Sequence, residues 1–156
     1  MTLQSRLITL DKALPAQLKA LPEQVVQQIV LKIVATELRR VDVRSLVCVH
    51  ALGVVRGKEK PSSELMEKLE QLVEHYDSKY FDASDQDEAG VAEQAEVAAI
   101  NFARARAVAA LDCLVRGELQ ESIYEACHID ETPDTVLTQL KTELKSVAPL
   151  RSRRNR

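Results

Sequence analysis

The residues of this chain that could do chemistry are its cysteines, its histidines and a long series of acids. Cys48 lies two residues before His50, and Cys127 directly precedes His128. Neither spacing is that of paired zinc ligands, and side chains two apart on a helix point in different directions. A di-iron bundle requires Glu-x-x-His motifs on two helices, and the chain has no such pair. We therefore expect no metal site and no cofactor.

Other catalytic motifs are also missing from the sequence. There is no P-loop, no glycine-rich dinucleotide loop, no G-x-S-x-G turn and no calcium-binding EF-hand loop. Cys113 or Cys127 would need a neighbouring base to act as a nucleophile, and the sequence does not locate one. We expect no catalytic residues and a protein that is not an enzyme.

The strongest pattern is a concentration of negative charge. Residues 64–96 contain eleven acids and two lysines, a net charge of −9, whereas the whole chain carries −3. Many of these acids recur every three or four residues, which is the spacing of one helix face. They form either a solvated face with a helix cap, or a negative surface that steers and docks a basic protein. The candidate partner-binding residues are Glu67, Glu70, Glu74, Asp77, Asp82, Asp85, Asp87 and Glu88.

The elements that must position these acids are helices. Hydrophobic residues make up 46% of the 156 residues and charged residues 29%, but only 3% are aromatic, so the core must be aliphatic. Four glycines and five prolines are too few for the many turns of an all-β fold. The sequence predicts an all-α fold, a compact bundle of six or seven helices around a long central helix.

That central helix is predicted over residues 84–117. Ser84, followed by acids in the next turn, is a typical N-terminal cap, and Gly117 is a typical C-terminal stop. The helix is apolar on more than half of its circumference, and its small alanines would let neighbouring helices approach closely on several sides. Arg106 interrupts the apolar side. It either pairs locally or belongs to a subunit contact.

Shorter helices are predicted around it. Pro22 fits the start of a helix that reaches Arg40, and Ser62 or Ser63 begins an amphipathic helix that extends to about Tyr80. Thr132 and Pro133 begin the last helix. We expect one domain over residues 1–149 and a disordered basic tail over residues 150–156.

Composition also bears on location and partners. The N-terminal segment lacks the apolar stretch of a signal peptide, and no apolar run approaches the length of a membrane span. We expect a cytoplasmic protein with reduced cysteines and no membrane association. We do not expect nucleic acid as the main partner, since the body of the protein is acidic and poor in stacking aromatics.

The acidic segment FDASDQDEAG (residues 81–90), followed by the alanine-rich AEQAEVAAINFARARAVAALDCLVRG, resembles the helical immunity proteins that bacteria make against polymorphic toxins. The arrangement is also similar to bacterial helical proteins of YjaG type, although this chain lacks tryptophan. The first resemblance implies a cytosolic protein that binds and occludes a basic toxin domain. The alternative is a structural or adaptor protein that forms a homodimer with Arg106 in its interface. A small-molecule-binding or enzymatic helical domain is a third possibility.

Overall fold

The computed structural model describes residues 5–87 and 92–154, without the side chains at 86, 87, 92 and 148–154. In these residues a 3₁₀ turn (Arg6–Thr9) is followed by seven α-helices and no strand. The helices are α1 (Leu14–Lys19), α2 (Glu23–Arg40), α3 (Leu46–Arg56), α4 (Ser63–Asp87), α5 (Ala92–Val115), α6 (Leu119–Cys127) and α7 (Asp134–Arg154). The predicted all-α bundle is therefore confirmed.

Helix α5 is the centre of the bundle. It packs against α2, α3, α4 and α6, most extensively against α4. Apart from Asn101, its buried side chains are alanines or larger aliphatic residues: Ala98, Ala105, Ala107, Val108, Ala110, Leu111, Leu114 and Val115. Alanine at so many buried positions allows several helices to approach the same helix closely. The prediction of a central alanine-rich helix is correct in this respect.

The C-terminal end of α5 is formed by local backbone geometry. Gly117 has a φ of +80°, the left-handed conformation that glycine adopts without steric cost. The N–H of Gly117 donates to the carbonyl of Leu114 at 3.1 Å, and the N–H of Glu118 donates to that of Cys113 at 2.9 Å. This pair of bonds is a Schellman motif, and it confirms the predicted stop at Gly117.

The predicted start of the central helix is wrong. Ser84 lies in the last turn of α4, and α5 begins only at Ala92. The apolar series of α4, which includes Leu65 and Leu69, continues past Tyr80 to the buried Ala83. Packing of this face therefore extends α4 beyond the residue where a capping pattern predicts a new helix.

Three other helix starts agree with their predictions. Pro22 is the N-cap of α2, and its carbonyl accepts from the N–H of Val26 at 3.2 Å. The hydroxyl of Ser62 accepts from the N–H of Leu65 at 3.1 Å, which caps α4. The carbonyl of Pro133 accepts from the N–H of Leu137 in the first turn of α7.

Helix α7 packs on α2 and α6 through the buried Val136 and Leu140, and two ion pairs with exposed lysines add to this contact. Lys141 contacts Asp11 at 3.2 Å, and Lys32 of α2 contacts Glu143 at 2.6 Å. The helix is described as far as Arg154. The predicted domain boundary at residue 150 and the predicted disordered tail over residues 150–156 stay predictions. Among the described residues, no helix combines the length and apolar composition needed to cross a bilayer.

The central position of α5 predicts that truncation to alanine destabilises the protein much more at one residue of this helix than at another. Leu111 is fully buried, so Leu111→Ala should leave a cavity and lower the free energy of unfolding by about 2–5 kcal/mol. Val97 on the same helix is exposed, so Val97→Ala should change it by about 0.5 kcal/mol or less. Urea denaturation followed by circular dichroism measures both values. Equal effects would contradict the central placement of α5.

Candidate functional site

Most of the candidate acids whose side chains the structure describes lie on the side of α4 that faces away from its buried residues. Glu67, Glu74 and Phe81 follow one another at intervals of seven residues, so they project from nearly the same side of the helix. Asp85 continues this row, and Asp82 lies beside it. All five side chains are exposed. We call Glu67, Glu74, Phe81, Asp82 and Asp85 the α4 acidic face. No salt bridge involves its four acids among the described residues.

Glu70 belongs to the same side of α4 but is engaged inside the chain. The guanidinium of Arg116 contacts its carboxylate at 2.7 Å, and the Nε of the same arginine donates to Asp112 at 3.0 Å. Burial raises the pKa of Asp112, while the hydrogen bond from Arg116 opposes that shift. Glu70 therefore joins α4 to the end of α5 and contributes less free charge to the surface than the sequence pattern implied.

Asp77 is also engaged, in a more buried cluster. Arg106 contacts Asp77 at 3.4 Å and Glu125 of α6 at 2.9 Å. Glu125 in turn contacts Arg6 at 3.3 Å, and Arg6 contacts Glu121 at 2.6 Å. This alternating series joins α4, α5, α6 and the 3₁₀ turn. Arg106 is thus paired within its own chain, and Asp77 has a structural partner. The subunit contact at Arg106 stays a prediction.

The structure gives no side-chain position for two other candidate residues, Asp87 and Glu88. Asp87 is the last residue of the helix, and its side chain lies outside the described residues. Glu88 lies wholly outside them. Their predicted part in partner binding stays a prediction.

Phe81 is the feature of this surface that the sequence reasoning missed. It is one of two phenylalanines in the chain, and 61% of its surface is exposed. Its ring lies against that of Tyr80, with centroids 5.2 Å apart, and Tyr80 packs on Phe102 of α5. The signal was present in the sequence, because Phe81 follows Asp77 by four residues and Glu74 by seven.

Chemistry at the cysteines is disfavoured by their surroundings. All three thiols are free, and burial raises the pKa of Cys48 to about 11 and those of Cys113 and Cys127 to about 12. Nearby acids, Glu125 foremost, add to the shift at Cys113. A thiolate nucleophile would require the opposite shift. Within the described residues, no three potential ligands are grouped as a metal site requires.

These pKa directions predict slow thiol chemistry in the folded protein. A thiol with a raised pKa is almost fully protonated near pH 8, and raising the pH towards 11 should increase its thiolate fraction. Native protein should therefore react with Ellman's reagent at pH 8 much more slowly than protein unfolded in guanidinium chloride. A thiol in the native protein that reacts as rapidly as a free cysteine would contradict this account.

The ion pairs of Arg106 predict that its replacement destabilises the protein more than the same replacement of Arg116. Arg106→Gln removes the cation that Asp77 and Glu125 share in a partly buried setting, and of the two acids only Glu125 keeps an ion pair among the described residues, with Arg6. The substitution should lower the free energy of unfolding by about 1–3 kcal/mol. The matched change Arg116→Gln breaks more exposed pairs and should cost less than about 1 kcal/mol. Denaturation curves that rank the two variants in the reverse order would contradict a structural role for Arg106.

Comparison with known proteins adds no relative. No protein-family model matches the chain, and no curated protein or solved structure matches it significantly. The surface of α4 is therefore interpreted from its own geometry and charge.

Proposed function

We propose that this protein is a binding module that docks a basic protein partner on the α4 acidic face. The observation that carries the proposal is the exposed ring of Phe81 within a row of acids that have no basic partner among the described residues. An aromatic side chain surrounded by charged ones is the composition of a protein-binding hot spot with a polar rim. Single exposed apolar side chains are common on protein surfaces, so the proposal rests on the combination of Phe81 with the row of acids and not on its exposure alone.

The two kinds of residue would contribute differently to binding. Glu67, Glu74, Asp82 and Asp85 would attract a positively charged surface and accelerate association, an effect that salt screens. Phe81 would be buried on binding and would slow dissociation. Glu70 and Asp77 would act indirectly, because their ion pairs fix α4 against α5 and α6. The surface is thereby held in place before the partner arrives, which lowers the entropy cost of binding.

In its most specific form, the proposal is a cytosolic immunity protein that binds and occludes a cognate bacterial toxin domain. The resemblance of residues 81–117 to helical immunity proteins supports this form. A basic nuclease cleft has the charge that the α4 acidic face would recognise. Inhibition would then occur by blocking substrate access, and the chain would supply no catalytic group.

A homodimer built around Arg106 remains the alternative function. The sequence feature that suggested a homodimer was a cation without an evident partner on the apolar side of the central helix. Arg106 now has Asp77 and Glu125 as partners in its own chain, so it does not need a second subunit to neutralise it. This pairing favours the α4 acidic face over the Arg106 surface as the place where a partner binds.

The proposal predicts how variants of α4 behave in a capture experiment. The tagged wild-type protein, exposed to a lysate of its native cells, should retain a basic protein that mass spectrometry identifies. With that protein purified, Phe81→Ala should weaken binding about 30-fold, equivalent to about 2 kcal/mol. Glu67→Lys with Glu74→Lys should slow association about tenfold at low salt. Surface plasmon resonance measures both the rates and the affinity.

Matched controls on α5 make this test specific. Glu93→Lys with Glu96→Lys changes the net charge by the same amount at two exposed positions, and Val97→Ala truncates another exposed apolar side chain. Both should bind like the wild type. If the α4 and α5 charge variants lost binding equally, net charge alone would explain the effect and the proposed site would be contradicted. Wild-type binding by Phe81→Ala would also contradict it. The immunity proposal has a test of its own. Expression of the captured protein alone should arrest growth of a host cell, and expression of it together with this chain should not.

A further inference from the structure

Helix α3 is apolar on almost every side but is only half covered. Its inward side chains Cys48, Ala51, Val54 and Val55 are buried in the core. On the outward side, Leu46 is 87% exposed and Val49 is 65% exposed. A helix that is hydrophobic all round is normally enclosed by other elements. In the part of the chain that the structure describes, no element covers the outer side of α3.

A groove of about 490 Å³ lies beside this exposed side, between α3 and the second half of α2. Its apolar wall comprises Leu38, Val43, Leu46, Val49 and Leu52. Gly53 is exposed on the same helix, and a Cβ added there would meet no atom within 4 Å. Bare backbone at this position would let another helix approach α3 closely, as small residues do at helix crossings.

The rim of the groove is positively charged. Arg39, Arg44 and Arg56 all line it and are exposed. Arg44 contacts Asp42 at 2.7 Å, while no salt bridge involves Arg39 or Arg56 among the described residues. The groove also adjoins the first turn of α3, where the helix dipole is positive. An occupant that placed carboxylates at this rim would gain several favourable contacts.

We propose that the α2–α3 groove is a second docking site, which binds an acidic amphipathic helix of a partner protein. The apolar ridge of that helix would lie on Leu46, Val49 and Leu52, with Gly53 at the crossing. Its flanking glutamates or aspartates would reach Arg39 on one side and Arg44 or Arg56 on the other. This site has the opposite charge to the α4 acidic face, so it goes beyond the proposed function and does not depend on it.

Other occupants fit the groove less well. A small anionic amphiphile inside it would leave most of Leu46 exposed, whereas a helix laid along α3 would cover it. Nucleic acid would find arginines but no aromatic ring among the lining residues. A second copy packed through α3 would bring the same three arginines towards one another, and like charges at an interface oppose association.

The test uses the full-length protein and a designed peptide. The peptide has about 18 residues, with leucines at helical i, i+3 and i+7 positions and glutamates on both flanks; a matched peptide carries lysines in place of the glutamates. Addition of the glutamate peptide should shift backbone amide signals of residues 35–56 in nuclear magnetic resonance spectra. Val49→Glu, or Arg39→Glu with Arg44→Glu, should weaken this binding at least tenfold. Lys12→Glu with Lys19→Glu, a matched charge change at exposed positions outside the groove, should not.

Reversing the charge of the groove rim gives the most discriminating test of the proposal. The Arg39→Glu and Arg44→Glu double variant should prefer the lysine peptide at residues 35–56, reversing the preference of the wild type. The proposal is overturned if the glutamate peptide causes no shift in these residues, or if both peptides shift them equally in the wild type. Two further results would overturn it by showing another occupant. The first is a wild-type dimer in sedimentation that Val49→Glu dissociates, because the groove would then bind a second copy. The second is wild-type binding to phosphatidylglycerol vesicles that Val49→Glu abolishes, together with no binding of the peptide, because the groove would then bind a lipid surface.

Discussion

The close packing of α4 against α5 is the interaction on which the rest of the structure depends. Tyr80 and Phe102 bring the two helices together with ring centroids 5.3 Å apart, and Arg106 reaches from α5 to Asp77. The buried alanines of α5 then leave room for α2, α3 and α6 around the same helix. Because the apolar side of α4 is committed to this contact, its acids must face outward. The position of the candidate site is therefore a consequence of the core.

The same packing divides the charged residues into two groups. Glu70 and Asp77 lie close enough to α5 to meet arginines, and their ion pairs join α4 to its neighbours. Glu67 and Glu74 project further from the contact and are left to solvent. The exposed outer side of α3 has a comparable origin, since one side of that helix meets the core and the other meets no described element. The chain thus presents an acidic surface and a basic, apolar groove on different helices, which its net charge of −3 conceals.

The sequence predicted those features that depend on neighbouring residues. The stop at Gly117 is one, because a left-handed glycine closes the helix by itself. The start at Ser84 was misplaced because burial of Ala83 outweighed a local capping pattern. The partners of Arg106 could not be predicted, since Asp77 and Glu125 are 29 and 19 residues away and the crossing of three helices brings them together. The helical periodicity places Phe81 on the same side of α4 as the acids. Its exposure could not be predicted, because it depends on the rotation of α4 in the bundle.

The central claim is that a partner binds on the α4 acidic face. The most direct measurement is a photo-crosslinking scan in the native cells, with benzoylphenylalanine placed at one position at a time. Positions 74, 81 and 85 should yield one common adduct, whereas the exposed positions Lys12 and Thr142 should yield none. Adducts at the control positions alone, or different adducts at each position of α4, would contradict the claim.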